Sequence, residues 1–441
     1  MATPPASHAT DQRMNSHPQD PTPRSPWTWI PTLYFGQGLP YVVVMTLSVI
    51  MYKNLEVSNT EIALYTSWLY LPWVIKPLWS PLIELFGTKR LWIVALQFAV
   101  GASLALVALT IPAERFFQLT LAMFWLMAFS SASHDIAADG FYMLALKQRS
   151  QAAFVGVRST FYRIANIGGQ GGLVYLAGEL QERTGSMQTA WSLVFGVLCG
   201  LFLLMGAYHA VMLPRPASDQ RAAPQHDWVS EFFRVFAEFF RKPGIWVILA
   251  FLLFYRFPEA QLLKLATPFL LDKPELGGLG LSNKEVGIAY GTVGLTALTL
   301  GGLAGGWVIS KIGLKRALWP LILSMHVPNI AFLALALAQP GNLWLISTAL
   351  AVEQFGYGLG FTAYLMYMIL VADGPHKTAH YAICTGFMAL GMMLPGMWSG
   401  WLQDQIGYLN FFIWVLVATI PSFAVAALVK IPADFGRKVD E

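Results

Sequence analysis

The chain has 441 residues, of which 56% are hydrophobic and 12% charged, with a formal net charge of +4. Soluble domains carry about 25% charged residues, so a soluble globular fold is excluded and an all-α polytopic membrane protein is expected. The positive charge is spread over loops, which excludes nucleic acid as a partner. Cys199 and Cys384 stand alone in apolar runs, so neither a disulfide framework nor a metal site is expected, and no pattern calls for a cofactor.

Residues 1–26 are rich in Pro, Ser, Thr and His and have no apolar core like that of a signal peptide. They read as a disordered cytoplasmic tail. From there, apolar runs of about 20 residues predict twelve spans: 29–52, 60–84, 91–111, 116–146, 152–179, 188–213, 244–271, 283–310, 315–338, 341–371, 379–402 and 408–429. The domains follow as a six-helix bundle at 27–213, a cytoplasmic linker at 214–243, a second bundle at 244–430 and a tail at 431–441. In the linker, apolar residues at 228, 229, 232, 233, 236, 239 and 240 form one helical stripe opposite Glu231, Arg234, Glu238 and Arg241. That pattern predicts a helix lying on the membrane surface.

Of the 28 Lys and Arg, five fall within spans and five in loops on one side: Lys53, Arg115, Arg183, Lys273 and Lys284. The rest lie on the side shared with both termini, so both termini are expected in the cytoplasm.

The halves repeat at a shift of about 224 residues, the distance from Ser58 to Ser282. Ser58-Asn59-Thr60-Glu61 returns as Ser282-Asn283-Lys284-Glu285, each an N-cap signature. Gly87-Thr88-Lys89-Arg90 returns as Gly313-Leu314-Lys315-Arg316, and Tyr142-Met143-Leu144 as Tyr367-Met368-Ile369. Two pseudo-symmetric six-helix bundles follow, with a solute site between them at mid-membrane depth.

Ionisable side chains at that depth are candidate functional groups. Asp135 and Asp139 share one face of the fourth span, where two such close carboxylates resist ionising together. They are the expected proton-coupling acids. His134 lies about 100° around the helix from Asp135 and is a candidate proton relay. Lys76 is expected to pair with Asp135 or Asp139. Arg163, Asn166 and Gln170 form a polar stripe on the fifth span, which also carries Arg158. On the seventh span, Arg256 and Glu259 are spaced to pair across Pro258, and Lys264 lies beyond. Pro40 and Pro258 mark interrupted helices at matching places in the two halves. Glu353 and Tyr357 line the tenth span, and Gln37 the first. The expected solute-binding set is Gln37, Lys76, Arg163, Asn166, Gln170, Arg256, Glu259, Glu353 and Tyr357, suited to an anionic or amide-rich small molecule.

The loops Glu84-x-x-Gly87-x-Lys89-Arg90 and Ser310-x-x-Gly313-x-Lys315-Arg316 resemble the loop signature of the major facilitator superfamily. The resemblance implies that Glu84, Gly87, Lys89, Arg90, Gly313, Lys315 and Arg316 latch helix ends as gating residues. In the second loop Ser310 replaces the acid, so that latch is expected to be weaker. Phe35-Gly36-Gln37-Gly38-Leu39-Pro40, Lys76-Pro77-Leu78-Trp79-Ser80-Pro81-Leu82 and Ser131-Ala132-Ser133-His134-Asp135-Ile136 are similar to stretches of the AmpG-like muropeptide permease and acetyl-CoA transporter family, with His134 where that family has Gln. The resemblance implies a monomeric symporter of the bacterial inner membrane that imports a cell-wall-derived muropeptide or related amino sugar with protons. Import of a siderophore or an oligosaccharide is the alternative. His134 and Asp139 also satisfy an H-x4-D spacing like that of glycerolipid acyltransferases. Those enzymes need a soluble catalytic domain, so no enzyme is expected.

Overall fold

The computed structural model describes residues 24–146, 148–220, 228–374 and 376–437. Its helices form twelve spans: α1 Pro26–Asn54, α2 59–85, α3 Lys89–Thr110, α4 Phe116–Ala145, α5 148–184, α6 Met187–Met212, α7 Ile245–Leu271, α8 Asn283–Ile312, α9 Leu314–Ala338, α10 Leu343–Ala372, α11 377–406 and α12 408–428. The helix of α11 runs into α12, and only Gly407, at φ 73°, divides them.

Local chemistry sets many of these boundaries. Ser58 and Ser282 both cap their helices, accepting from the backbone N–H of Glu61 and Glu285; at Ser282 the reciprocal bond completes a capping box. Gly87 and Gly313 take φ of 91° and 79° in corresponding turns, a conformation costly for residues with a Cβ. α7 breaks where Pro258 foretells it, between Ile245–Phe254 and Phe257–Leu271. α1 differs from expectation. It runs helically through Pro40 and relaxes in a π-helical turn at Val43–Leu47, which absorbs the missing N–H without a break.

The ends of α1, α6, α7 and α12 that meet residues 24, 213, 245 and 429 define a terminal face; the opposite end is the far face. Toward the far face one apolar core serves both halves, including Leu39, Tyr52, Trp191, Leu262, Phe269 and Tyr408. Toward the terminal face it divides into a first-half cluster around Trp29 and Phe141 and a second-half cluster around Phe251 and Tyr364.

Apart from Lys264–Thr66, deeper in the membrane, the polar contacts that bridge the halves gather at the far face among the described residues. Lys53 Nζ lies 2.6 Å from Asp272 Oδ1. Asn59 Nδ2 donates to Gln403 Oε1 at 2.6 Å and to the Tyr408 hydroxyl at 3.0 Å, and that hydroxyl donates to Asp272 at 2.6 Å. Lys284 Nζ pairs with Glu179 and Glu182 at 2.7 and 2.6 Å. The molecule is closed at this end.

Closure also needs backbone contact between α5 and α8. A Cβ on Gly291 would lie 2.4 Å from the Gln170 carbonyl oxygen and 2.6 Å from Gly171 Cα. Gly291→Val is therefore expected to wedge the far face open. Cysteines placed at Asn54 and Asn283, whose side chains bond at 2.7 Å, should cross-link in the parent and fail to do so in the variant.

The linker helix, Trp228–Phe240, docks on the second half. Phe239 stacks on Phe387, and Lys242 Nζ donates to the carbonyls of Val371 and Asp373. Trp228, Val229 and Glu231 have side chains outside the described residues. Asp219 accepts from the backbone N–H of Lys89 at 2.8 Å and of Arg90 at 3.0 Å, a carboxylate at a helix N-terminus, where the dipole favours it.

Candidate functional site

In the first half, α4 presents Asp135 and Asp139 to different partners. Asp135 Oδ2 accepts from Trp73 Nε1 at 3.2 Å and lies 3.5 Å from Lys76 Nζ, with Gln37 beside it. Asp139 Oδ1 is 2.8 Å from an Arg158 guanidinium nitrogen and 3.3 Å from the Tyr34 hydroxyl. The Arg158 guanidinium lies over the Tyr34 ring, 4.5 Å from its centroid. The shared helix face is real, and Asp139 remains within electrostatic reach of Asp135. Each has its own cation, because α2 approaches one side of α4 and α5 the other. Asp139 is the more accessible, at 40% side-chain exposure against 17% for Asp135.

His134 points away from both acids. Its Nε2 lies 3.2 Å from Gln97 Nε2, Gln97 Oε1 lies 2.8 Å from His209 Nδ1, and His209 Nε2 lies 2.9 Å from Thr32 Oγ1. This chain ties together α4, α3, α6 and α1 inside the first bundle. Its geometry is that of a satisfied buried network.

The α5 stripe is only partly brought inward. Asn166 Nδ2 donates to the Tyr162 carbonyl in its own helix at 2.9 Å. Gln170 lies in the π-helical segment Gly168–Leu173, where its carbonyl meets Gly291. Arg163 reaches α8 at Gly302, and no acid pairs with it among the described residues.

In the second half, the expected Arg256–Glu259 pair does not form. Arg256 is the residue at which α7 breaks, with φ −108° and ψ 20°, and this turns it off the Glu259 face. Its guanidinium bonds the Tyr357 hydroxyl and sits 4.6 Å from the centroid of the Phe361 ring. Tyr41 and Tyr70 of the first half lie beside it. Glu259 instead meets His326 Nδ1 at 2.7 Å and Asn329 Nδ2 at 3.4 Å. Lys264 Nζ donates to Thr66 Oγ1 across the halves at 2.9 Å and lies over the Tyr70 ring. Glu353 Oε2 accepts from Gln354 Nε2 at 2.8 Å.

Arg256 and Lys264 face Tyr41, Tyr70 and Thr66 of the first half, whereas Glu259, His326 and Asn329 cluster between α7 and α9 within the second half. Arg256, Glu259, Lys264 and Glu353 are each less than a tenth exposed. Gln37 Oε1, Arg256 Nε, Glu259 Oε2, His326 Nε2 and Asn329 Oδ1 are buried without hydrogen-bond partners among the described residues. Native proteins leave few such atoms, and three of these belong to the Glu259–His326–Asn329 cluster of the second half. No group of three or more His, Cys, Asp or Glu is placed to hold a metal among the described residues.

The spans alone did not reveal Tyr41, Tyr70, Trp73 and His326. The available signals were aromatic residues flanking Pro40 and Lys76, and a histidine directly before the Val327-Pro328-Asn329 interruption. The gating set is unequal. Arg90 donates to the Leu213 and Ala210 carbonyls and so ties α3 to α6 within one half. Lys315 and Arg316 are exposed and form no hydrogen bond or ion pair among the described residues. The Glu84 side chain lies outside the described residues.

The chain resembles known proteins over nearly its whole length. It is 27% identical over 402 residues to an uncharacterized protein of Haemophilus influenzae, covering 88% of this chain and 90% of that one. It is 23% identical over 415 residues to the anhydromuropeptide permease of Escherichia coli, covering 92% and 80%. Among solved structures, the nucleoside transporter NupG superposes with a TM-score of 0.65 at 16% identity, covering 91% of this chain and 98% of that one. That likeness establishes the major facilitator fold of two six-helix bundles. The BT1 family model matches residues 37–429. A multi-pass bacterial inner-membrane transporter of a small-molecule solute, and not an enzyme, the chain belongs to the BT1 family.

Proposed function

We propose that this protein imports an anionic, amide-rich solute together with protons, and that the solute is a cell-wall-derived muropeptide or related amino sugar. The observation that carries the reading is Arg256, a guanidinium 7% exposed at membrane depth, ringed by aromatic groups and paired with no acid among the described residues. A buried cation without a counter-charge is costly, and a carboxylate on the solute supplies one. Lys264, buried against Thr66 and Tyr70, adds to the same field. Lys76 and Arg158 of the first half each lie beside an acid, Asp135 and Asp139, whereas Arg163 joins Arg256 and Lys264 as a cation open to the solute. Aromatic rings and unsatisfied amide groups suit sugar rings and peptide bonds.

Loop charge assigns the terminal face, with both termini and the 214–243 linker, to the cytoplasm. The closed far face is then external. The bundles 27–213 and 244–430 rock against each other as one monomer. Asp135 and Asp139 take up protons, and Gln37, Arg163, Asn166, Gln170, Glu259, Glu353 and Tyr357 complete the solute cavity. Protonation of Asp139, the accessible acid, discharges its pair with Arg158 and loosens α4 from α5.

Uptake of labelled anhydromuropeptide into proteoliposomes, with and without an inward proton gradient, tests this reading. Gradient-driven uptake is expected, and Asp139→Asn should lose it. Vesicles that take up a siderophore or an oligosaccharide but no anhydromuropeptide would move the cargo to that class.

A further inference from the structure

Glu353 is an acid of the enclosed site for which the described residues offer no cation. It is 1% exposed, and its carboxyl group meets only the neutral amide of Gln354, which also reaches the Tyr290 hydroxyl at 3.5 Å. The ionisable groups beside it are Tyr290 on α8, Glu259 on α7 and Tyr357 one turn along α10. None of them supplies a counter-charge. His326 is engaged by Glu259 at 2.7 Å, Arg256 is turned to Tyr357 and Phe361, and Glu259 is itself an acid. An ionised carboxylate enclosed at membrane depth without a cation costs far more than a neutral carboxyl hydrogen-bonded to an amide. Asp135 and Asp139 differ in this respect, because each has a cation beside it.

We propose that Glu353 carries a proton in this enclosed state and is the coupling group of the second half. When water reaches it from the terminal face, its O–H bond breaks and the proton passes to that water. The bond is remade from the other side before the halves close around the next solute. Glu353 is thereby moved from the solute-contacting set to proton transfer, in an inference that rests on the proton-coupled reading above.

Two measurements on the full-length protein test it. Infrared spectroscopy of the protein in lipid, without any solute, should show the carbonyl stretch of a protonated carboxyl at neutral pH. That stretch is expected to be lost in Glu353→Gln and kept, shifted, in Glu353→Asp. In proteoliposomes, Glu353→Gln should lose gradient-driven accumulation of anhydromuropeptide while still exchanging it between equal pools, because a permanently neutral side chain mimics the loaded state. A stretch unchanged in Glu353→Gln overturns the proposal, and so does full gradient-driven accumulation in that variant. If wild-type uptake ignores the gradient, the coupled-import reading fails instead. The infrared arm keeps the two failures apart, because it reads Glu353 without solute or gradient.

Discussion

Replacing Arg256 with Gln is expected to weaken solute binding by about 30-fold to several thousand-fold. The range follows from the roughly 2–5 kcal/mol lost when one partner of a buried charge pair is removed, at about 1.4 kcal/mol per tenfold. In the absence of solute the guanidinium is buried against Tyr357 and Phe361 and no acid pairs with it among the described residues. Removing it therefore relieves an uncompensated charge, and the thermal stability of the empty protein should stay level or rise. This combination separates a binding role from a structural one. Solute-induced thermal shifts give both numbers in a single titration. Arg256→Lys should also fail, because the ammonium lacks the planar fork that lies by Phe361 and can bind a carboxylate bidentately. Normal binding by Arg256→Gln would place the anion elsewhere, with Arg163 and Lys264 the next cations to test.

Asp272→Asn is expected to shift the protein toward opening at the far face. Asp272 is the centre of the lock there: it takes Lys53 at 2.6 Å, the Tyr408 hydroxyl at 2.6 Å and Asn59 at 3.4 Å. Asparagine can still accept from Tyr408, but it leaves Lys53 without its counter-charge. Hydrogen bonds to charged groups contribute about 1.5–3 kcal/mol, so the closed-to-open ratio should fall by about tenfold to 150-fold. Spin labels at the exposed Glu56 and Glu275, one on each half, should report a longer distance population in the variant. An unchanged distribution would mean that the Lys284 pairs with Glu179 and Glu182 and the α5–α8 backbone contact hold the face closed by themselves.

The legible part of this fold is its local part. The Ser58 and Ser282 caps, the Gly87 and Gly313 turns and the interruption at Pro258 are all present where the residues call for them. Each depends on residues within a few positions of one another. α11 and α12 were separable in the sequence at the polar stretch before Tyr408, although helix continues on both sides of Gly407. α1 shows the limit of such reading. Pro40 demands that an N–H be dispensed with, but a π-helical turn three residues on satisfies that demand as well as a break does.

The candidate site was legible as a set of residues and illegible as a set of pairs. Spacing put Asp135 and Asp139 on one face, but the rotation of α4 between α2 and α5 decides that each meets a different cation. Spacing allowed Arg256 to reach Glu259, but the backbone break at Arg256 sends the two side chains apart, and Glu259 finds a histidine 67 positions away. His134 reads as an isolated polar group until Gln97 and His209 arrive from other helices.

Sequence by itself determined the membrane class, the twelve spans, the two related halves and the ionisable groups at membrane depth, because hydropathy, helical period and capping act over one helix or less. Tertiary structure alone decided which charges meet a partner of opposite charge and which face is closed. Those outcomes depend on how whole helices rotate and pack, and they join residues as far apart as Asn59 and Tyr408, 349 positions along the chain.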